Sequence, residues 1–226
     1  MTTFELTTPI SEAAIRALHI GDAVRLSGVI VTARDAAHKY MVDTFVRNQS
    51  IPKSEQPLHK ELRRQLDSGV IYHCGPVVRR IPPCSSGASP PQAGGNEGGQ
   101  SWQFVAAGPT TSIREEPYEP DVIAHFGLRG IIGKGGMGPG TLRACQEHGA
   151  VYFHAVGGAA TLIANAVKKV LAVHKLDEFG TPEAMWVIRV EDLPAIVTMD
   201  AHGQSIHDQV EATSEASLER LLAQNH

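Results

Sequence analysis

Apolar positions alternate through Val24, Leu26, Gly28 and Ile30 and then change period, with Ala37, Tyr40, Met41 and Phe45 recurring at helical spacing. A period of two marks a half-buried strand and a period near 3.6 an amphipathic helix, so the stretch predicts a strand followed by a helix. Thr32 and Asp35 stand three apart at the change, the layout of a capping box with aspartate in place of glutamate, which puts Arg34, Asp35 and His38 on the first turn. The charged run "KSEQPLHKELRRQLDSG" then leads into the apolar "VIYHCGPVV", a strand closed by Gly75-Pro76.

Between residues 82 and 101 the periodicity stops. Pro, Gly and Ser dominate, which predicts a surface insertion whose two ends lie close together. Beyond it, "FVAAGPTTSIREEPY" reads as a short strand and a turn, and "DVIAHFGLRGIIGKGGMG" as a helix-like piece, a strand at 129–132 and a glycine loop. "TLRACQEHG" is a helix closed by Gly149, "AVYFHAVGG" a strand and "AATLIANAVKKVLAV" a helix. "EAMWVIRVEDLPAIVTMDAHG" predicts two more strands, and residues 211–226 a terminal helix or tail. Alternating strands and helices with late strands predict a layered α/β domain over residues 1–210.

Composition narrows the possible partners. The 226 residues carry 20 basic and 24 acidic side chains, a net charge of -4 with no long block of either sign, which argues against a nucleic-acid footprint or a polybasic membrane surface. No basic segment followed by an apolar core opens the chain, and no apolar run reaches the roughly 18 residues of a membrane span, so a cytoplasmic protein is expected. Cys74, Cys84 and Cys145 are too few and too scattered for a disulfide framework and are expected to be reduced thiols.

The glycine loop holds the first candidate chemistry. Gly133, Gly135 and Gly138 satisfy the spacing of the dinucleotide fingerprint, yet no Asp or Glu lies between His148 and Leu176 to meet the ribose. The phosphate-loop pattern fails as well, because Gly135 stands where a magnesium-binding Ser or Thr is needed. What remains is a set of glycine amides, a helix N-terminus and Lys134, a combination that suits a small anion such as a carboxylate. Set alone, the same glycines would merely turn the chain and leave Lys134 solvated. Arg34 and Arg114 add cationic groups at two further strand ends, where α/β domains bind ligands. A dicarboxylic acid needs two such partners, and a guanidinium meets a carboxylate with two hydrogen bonds. The residues themselves stop at an anion site of unknown substrate.

Taken together, "TARDAAHK", "GPTTSIREEPY", "IIGKGGMG", "AVYFHAVGGAA" and "LDEFGTPEAMWVIRVEDLPAIVTMDAHG" resemble the C-terminal catalytic region of class I iron-sulfur fumarases and the β subunit of two-subunit relatives, including L(+)-tartrate dehydratase. The resemblance runs from about Leu6 to Gly203. It implies a swivelling β/β/α domain with flanking helices, and reversible dehydration of a hydroxy dicarboxylic acid: malate to fumarate, a step of the tricarboxylic acid cycle, or the corresponding reaction of tartrate. Carried over by motif, it makes Arg34 and Arg114 carboxylate binders, Lys134 a substrate-binding and catalytic group, and Thr110 the base. It gives Asp35, His38 and Ser112 orienting roles at most. Helix capping competes for Asp35, and for His154 a hydrogen bond within the sheet competes with a role in the site. Thr111 and Met137 read as turn or packing residues. A threonine accepts a proton only if cations stabilise its alkoxide, and Arg114 and Lys134 are the expected suppliers.

The family's 4Fe-4S cluster implies a partner. Cys74, Cys84 and Cys145 have spacings unlike a compact cluster motif, and the resemblance places the cluster ligands on the other catalytic region. An α subunit carrying the cluster, in a hetero-oligomer, is therefore expected, with no metal held by this chain. The continuation "IREEP" departs from the long single-chain members and leaves the substrate open between malate and tartrate. An anion-binding α/β protein without catalytic partner is the reading from a different class.

Overall fold

The computed structural model describes residues 3–81 and 101–223. Along the chain come β1 (Thr3–Thr7), α1 (Glu12–Arg16), β2 (Ala23–Thr32), α2 (Asp35–Met41), α3 (Gln56–Leu66), β3 (Val70–Tyr72), β4 (Val77–Ile81) and β5 (Ser101–Ala106). They are followed by α4 (Glu119–Phe126), β6 (Gly130–Gly133), α5 (Pro139–His148), β7 (Val151–His154), α6 (Ala160–Ala166), β8 (Val167–His174), α7 (Leu176–Phe179), β9 (Met185–Met199) and α8 (Ile206–Ala223). A π turn, Val42–Val46, continues α2, and a 3-10 turn, Ser112–Glu115, precedes α4.

The architecture is mixed α/β. β1, β2, β3, β6 and β7 lie side by side in parallel, and β9 runs antiparallel to both β7 and β2. The ladder β2-β3-β6-β7-β9 thus returns to β2, and β8 adds to β9. Side chains of successive strand residues point to opposite faces. Tyr72, Ile132 and Phe153 join Trp186 and Ile188 in one core, while Ile71, Ile131 and Tyr152 join Leu62, Leu66, Val122 and Phe126 of α3 and α4 in another. Burial on both faces explains why "VIY" and "VYF" read as unbroken apolar runs rather than alternating ones.

Three expectations change here. The helix expected over "AATLIANAVKKVLAV" ends at Ala166, and Val167–His174 is a strand paired with β9. Val167, Val170 and Val173 are β-branched and find ladder partners in β9, which a local helical count cannot register. The two strands expected in "EAMWVIRVEDLPAIVTMD" are one, β9, with Asp192 in a left-handed conformation (φ 52) within it. Gly28 is a close approach rather than an apolar position: a Cβ there would lie 2.3 Å from Thr8 Oγ1. That hydroxyl donates to Val29 O at 2.8 Å and accepts from Val29 N–H at 2.7 Å.

The insertion's ends do meet, since Ile81 pairs with Ser101 across the β4–β5 hairpin. Ser101 itself belongs to the strand, and residues 82–100, Cys84 among them, lie outside the described residues. The terminal helix α8 starts at Ile206, before the expected 211, and none of its residues is buried.

Candidate functional site

The parallel strands end level with one another. Thr32 pairs with Tyr72, Tyr72 with Ile132 and Ile132 with Phe153, so Arg34, His73, Lys134 and His154 all emerge at one edge of the sheet. This is the carboxyl edge, where strand ends of α/β domains present ligand-binding groups. Gly75 leaves the room Arg34 occupies, because a Cβ there would lie 2.6 Å from its Nη1.

The "GPTTS" segment is spliced into this edge by main-chain hydrogen bonds. Thr110 N–H donates to His73 O at 2.7 Å, Lys134 N–H donates to Thr110 O at 3.2 Å, and Ser112 N–H donates to Lys134 O at 3.0 Å. Thr110 therefore sits between the ends of β3 and β6, fixed to both. Its hydroxyl donates to His73 O at 3.1 Å. The splice needs Gly133, where a Cβ would lie 1.8 Å from Ser112 Oγ. That glycine of the fingerprint answers to a neighbouring serine and not to a nucleotide.

Two of the three expected cations already have partners. Arg34 Nη1 lies 3.1 Å from Glu183 Oε1, and Glu183 Oε2 accepts the Ala36 N–H at 3.1 Å. Arg114 Nη2 lies 2.6 Å from Asp35 Oδ2, an ion pair with both side chains well exposed. Among the described residues the partly buried Lys134 has no ion-pair partner, and its Cδ lies 3.9 Å from where a Cβ on Gly157 would stand.

The anion site expected at the helix N-terminus is filled from within. Glu116 accepts from Gly138 N–H at 2.8 Å, Gly140 N–H at 2.9 Å, Thr141 N–H at 3.1 Å and the Thr141 hydroxyl at 2.6 Å. A carboxylate does suit this position, as the partial positive charge of α5 requires, but the chain supplies it. The capping box is also absent. Thr32 Oγ1 accepts the Trp186 N–H at 3.1 Å, Arg34 is the N-cap without a side-chain bond, and Asp35 faces Arg114.

Behind the edge lies a dry polar group. His38, His73, Ser112, Glu115 and Glu119 are fully buried. His38 Nδ1 lies 3.0 Å from Arg34 O, and Ser112 Oγ lies 2.8 Å from His73 Nδ1 and accepts from Tyr152 Oη at 2.8 Å. The orienting candidates His38 and Ser112 both belong to this group. Glu115 has its carboxyl pushed up to about 8 by burial and by Asp35 beside it. Burial works against ionised Asp35 too, but Arg114 holds it below the usual carboxylate range. Glu115 thus keeps the proton of the pair. His154 does not hydrogen-bond within the sheet through its ring, which stacks on His207 with centroids 6.1 Å apart. Burial lowers its pKa. Met137 is buried packing, and Thr111 is the exposed N-cap of the 3-10 turn.

Cluster ligation does not fit the described cysteines. Cys74 and Cys145 are buried free thiols, the first pushed up to about 12 and the second also raised by desolvation, whereas cluster ligands are thiolates.

His73, Glu115, Glu116, Glu119 and Tyr152 escaped the sequence reading. "REEPYE" placed three acids beside the threonine motif, but their partners lie on other elements, Glu116's Gly138 being 22 residues away.

The chain is similar to known proteins. A protein of Geobacillus stearothermophilus provisionally named fumarate hydratase class I is 45% identical over 216 residues, 96% of this chain and 35% of the relative. One of Methanocaldococcus jannaschii provisionally named L(+)-tartrate dehydratase subunit beta is 35% identical over 214 residues, 94% of this chain and 95% of the relative. The L(+)-tartrate dehydratase subunit beta of Escherichia coli K12 is 33% identical over 202 residues, covering 89% and 85% of the two chains. The chain thus spans about a third of the fumarate hydratase relative and most of the tartrate dehydratase ones. The Fumarase C-terminus model matches residues 1–210, and the chain belongs to that family.

Two variants test the electrostatics. Glu116→Ala strands three amides and the Thr141 hydroxyl and is expected to cost about 1–2 kcal/mol in urea unfolding, against no change if the carboxylate is idle. For Glu115, the folded chain holds a proton up to about pH 8 that the unfolded chain releases near pH 4.5, so stability falls as pH rises through that window. Glu115→Gln removes this decline, and its thermal midpoint should gain on the parent across the same window. No relative gain would place the proton elsewhere.

Proposed function

We propose that this chain is the β-type half of a hydro-lyase for a hydroxy dicarboxylic acid, interconverting (S)-malate and fumarate. The observation that carries the reading is the carboxyl-edge site. Thr110, four residues before Arg114, is spliced to Lys134 at the sheet edge from which Arg34 also emerges, in a chain of the Fumarase C-terminus family. In this reading Lys134 grips one substrate carboxylate. Arg34 and Arg114 offer a second grip through guanidinium N–H groups beyond those turned to Glu183 and Asp35.

Thr110 takes the proton from C3. The C3–H electron pair becomes the new double bond, the C2 hydroxyl departs, and proton and hydroxyl together make the released water. The Thr110 hydroxyl donates to a main-chain carbonyl, which is no base, so in this reading its alkoxide depends on the positive charge of Lys134, whose main chain is bonded to that of Thr110. Departure of the hydroxyl is assigned to a partner α-type chain holding the 4Fe-4S cluster, an assignment supported by the misfit of Cys74 and Cys145. The family's swivelling β/β/α description is adopted with this reading, helices α2 to α5 covering one face of the sheet.

L(+)-tartrate is the second substrate reading. It is favoured by the 35% and 33% identity to tartrate dehydratase β subunits, while the higher identity to the fumarate hydratase relative favours malate. No helix among the described residues is long and apolar enough to cross a membrane.

Assay of the chain reconstituted with its α partner, on malate and tartrate in parallel, decides the substrate. A strong tartrate preference would overturn malate. In that enzyme Thr110→Ala is expected to lower turnover by orders of magnitude with KM little changed, and Lys134→Ala to damage both. Near-normal turnover in Thr110→Ala would remove it as the base.

A further inference from the structure

The buried group behind the edge admits one arrangement of its hydrogens. Tyr152 Oη donates to Ser112 Oγ at 2.8 Å. Ser112 Oγ could also accept from His73 Nδ1, but its own hydrogen would then lack an acceptor among these groups in a dry interior, so Ser112 donates to His73 Nδ1 at 2.8 Å and that nitrogen is bare. The His73 hydrogen is then on Nε2, 3.0 Å from Glu119 Oε2. His38 Nδ1 faces the Arg34 carbonyl at 3.0 Å and must donate to it. His38 Nε2 lies 2.9 Å from the same Glu119 oxygen, at an angle too bent for a good hydrogen bond. A bare lone pair against a carboxylate with no water between them would be repelled, so a hydrogen lies between the two atoms; Glu119 is held below and His38 above its ordinary value, which puts that hydrogen on His38 as an imidazolium.

A metal ion does not fit the same atoms. His38, His73 and Glu119 bring three donor atoms within 4.8 Å of one another. Binding through both Nε2 atoms would push the His73 hydrogen to Nδ1. The two links Tyr152–Ser112 and Ser112–His73 would then hold three hydrogens, one of them without an acceptor in a dry interior. The pKa directions agree with the hydrogen count. Burial disfavours charge on His38, yet Glu119 raises it overall. Glu119 is penalised by burial but lowered to about 2 by His38 and His73. Burial keeps His73 neutral. The other ionisable groups facing this pair are Glu115 of the 3-10 turn, Cys145 of α5 and Tyr152 of β7, and Asp35 on the histidine's own helix acts on His73.

We propose that Glu119 is the positioning residue of the site, a buried carboxylate that clamps a charged His38 and a neutral His73 and so sets Arg34 against Thr110. One arm runs through the His38 ring to the Arg34 carbonyl. The other runs through His73, whose carbonyl accepts both the amide and the hydroxyl of Thr110. Glu119 is the first residue of α4, where the helix favours a negative charge. Its effect on turnover rests on the proposed function; its charge assignment does not.

The test is nitrogen-15 NMR of the imidazoles in the full chain at neutral pH. His38 should show both ring nitrogens protonated, and His73 a hydrogen on Nε2 alone. A bare nitrogen on His38, a hydrogen on His73 Nδ1, or stoichiometric Zn2+ uptake through both rings would overturn the proposal, and this arm needs no variant to fold. In Glu119→Gln the His38 imidazolium signal should vanish and the Thr110 and Arg34 backbone resonances should move; resonances that stay in place would contradict the positioning role. In the reconstituted enzyme, Glu119→Gln should lose about 100-fold in turnover, with partial rescue by Glu119→Asp. An enzyme without hydro-lyase activity would remove the proposed function, and the nitrogen signals would still decide the assignment of charge.

Discussion

Three main-chain hydrogen bonds carry this site. They splice Thr110 and Ser112 between the ends of β3 and β6, so the candidate proton acceptor Thr110 and Lys134 share a strip of backbone. Main-chain bonds fix position more firmly than side-chain contacts, because no rotamer freedom stands between the element and the group it places. The splice is possible only where Gly133 lets the Ser112 hydroxyl approach. It is anchored from below by His73, whose ring is locked in the dry interior and whose carbonyl holds Thr110.

Around that strip the chain neutralises most of its own charge. Glu183 meets Arg34, Asp35 meets Arg114, and Glu116 closes the amides of α5. Of the three candidate cations at this edge, an incoming dicarboxylate therefore finds Lys134 without an ion-pair partner among the described residues and Arg34 and Arg114 already sharing their donors. Sharing is cheap for a guanidinium with five N–H groups and costly for an ammonium, which makes Lys134 the natural first contact. Glu115, protonated beside Asp35, spares the site a second buried negative charge under the Arg114 pair.

How much of this was legible in the sequence depended on range. Strand β2, the helix after it, the helix from Thr141 and Gly149 as its C-cap follow from local period and end signals and stand in the structure, though α2 opens at Asp35 without the expected capping box and α5 already at Pro139. Val167–His174 was misread because its strand character comes from β9, and the late strands merged because Asp192 bends β9 without ending it. Arg34, Thr110, Arg114 and Lys134 were picked out through their motifs, and strand register brings the chain after Thr32, Tyr72 and Gly133 to one edge of the sheet. Glu116 and Glu119 were not reachable. Each acts on groups brought near by topology alone, and an acid beside a helix start looks the same in sequence whether it caps that helix or another.

The most direct measurement is a crystal structure of the chain paired with its α partner and a bound hydroxy dicarboxylate. One carboxylate should lie within hydrogen-bond distance of Lys134, the other should reach Arg34 or Arg114, and Thr110 Oγ1 should face the carbon that loses its proton. A ligand bound away from the ends of β2, β3 and β6, with Lys134 turned to solvent, would contradict the account.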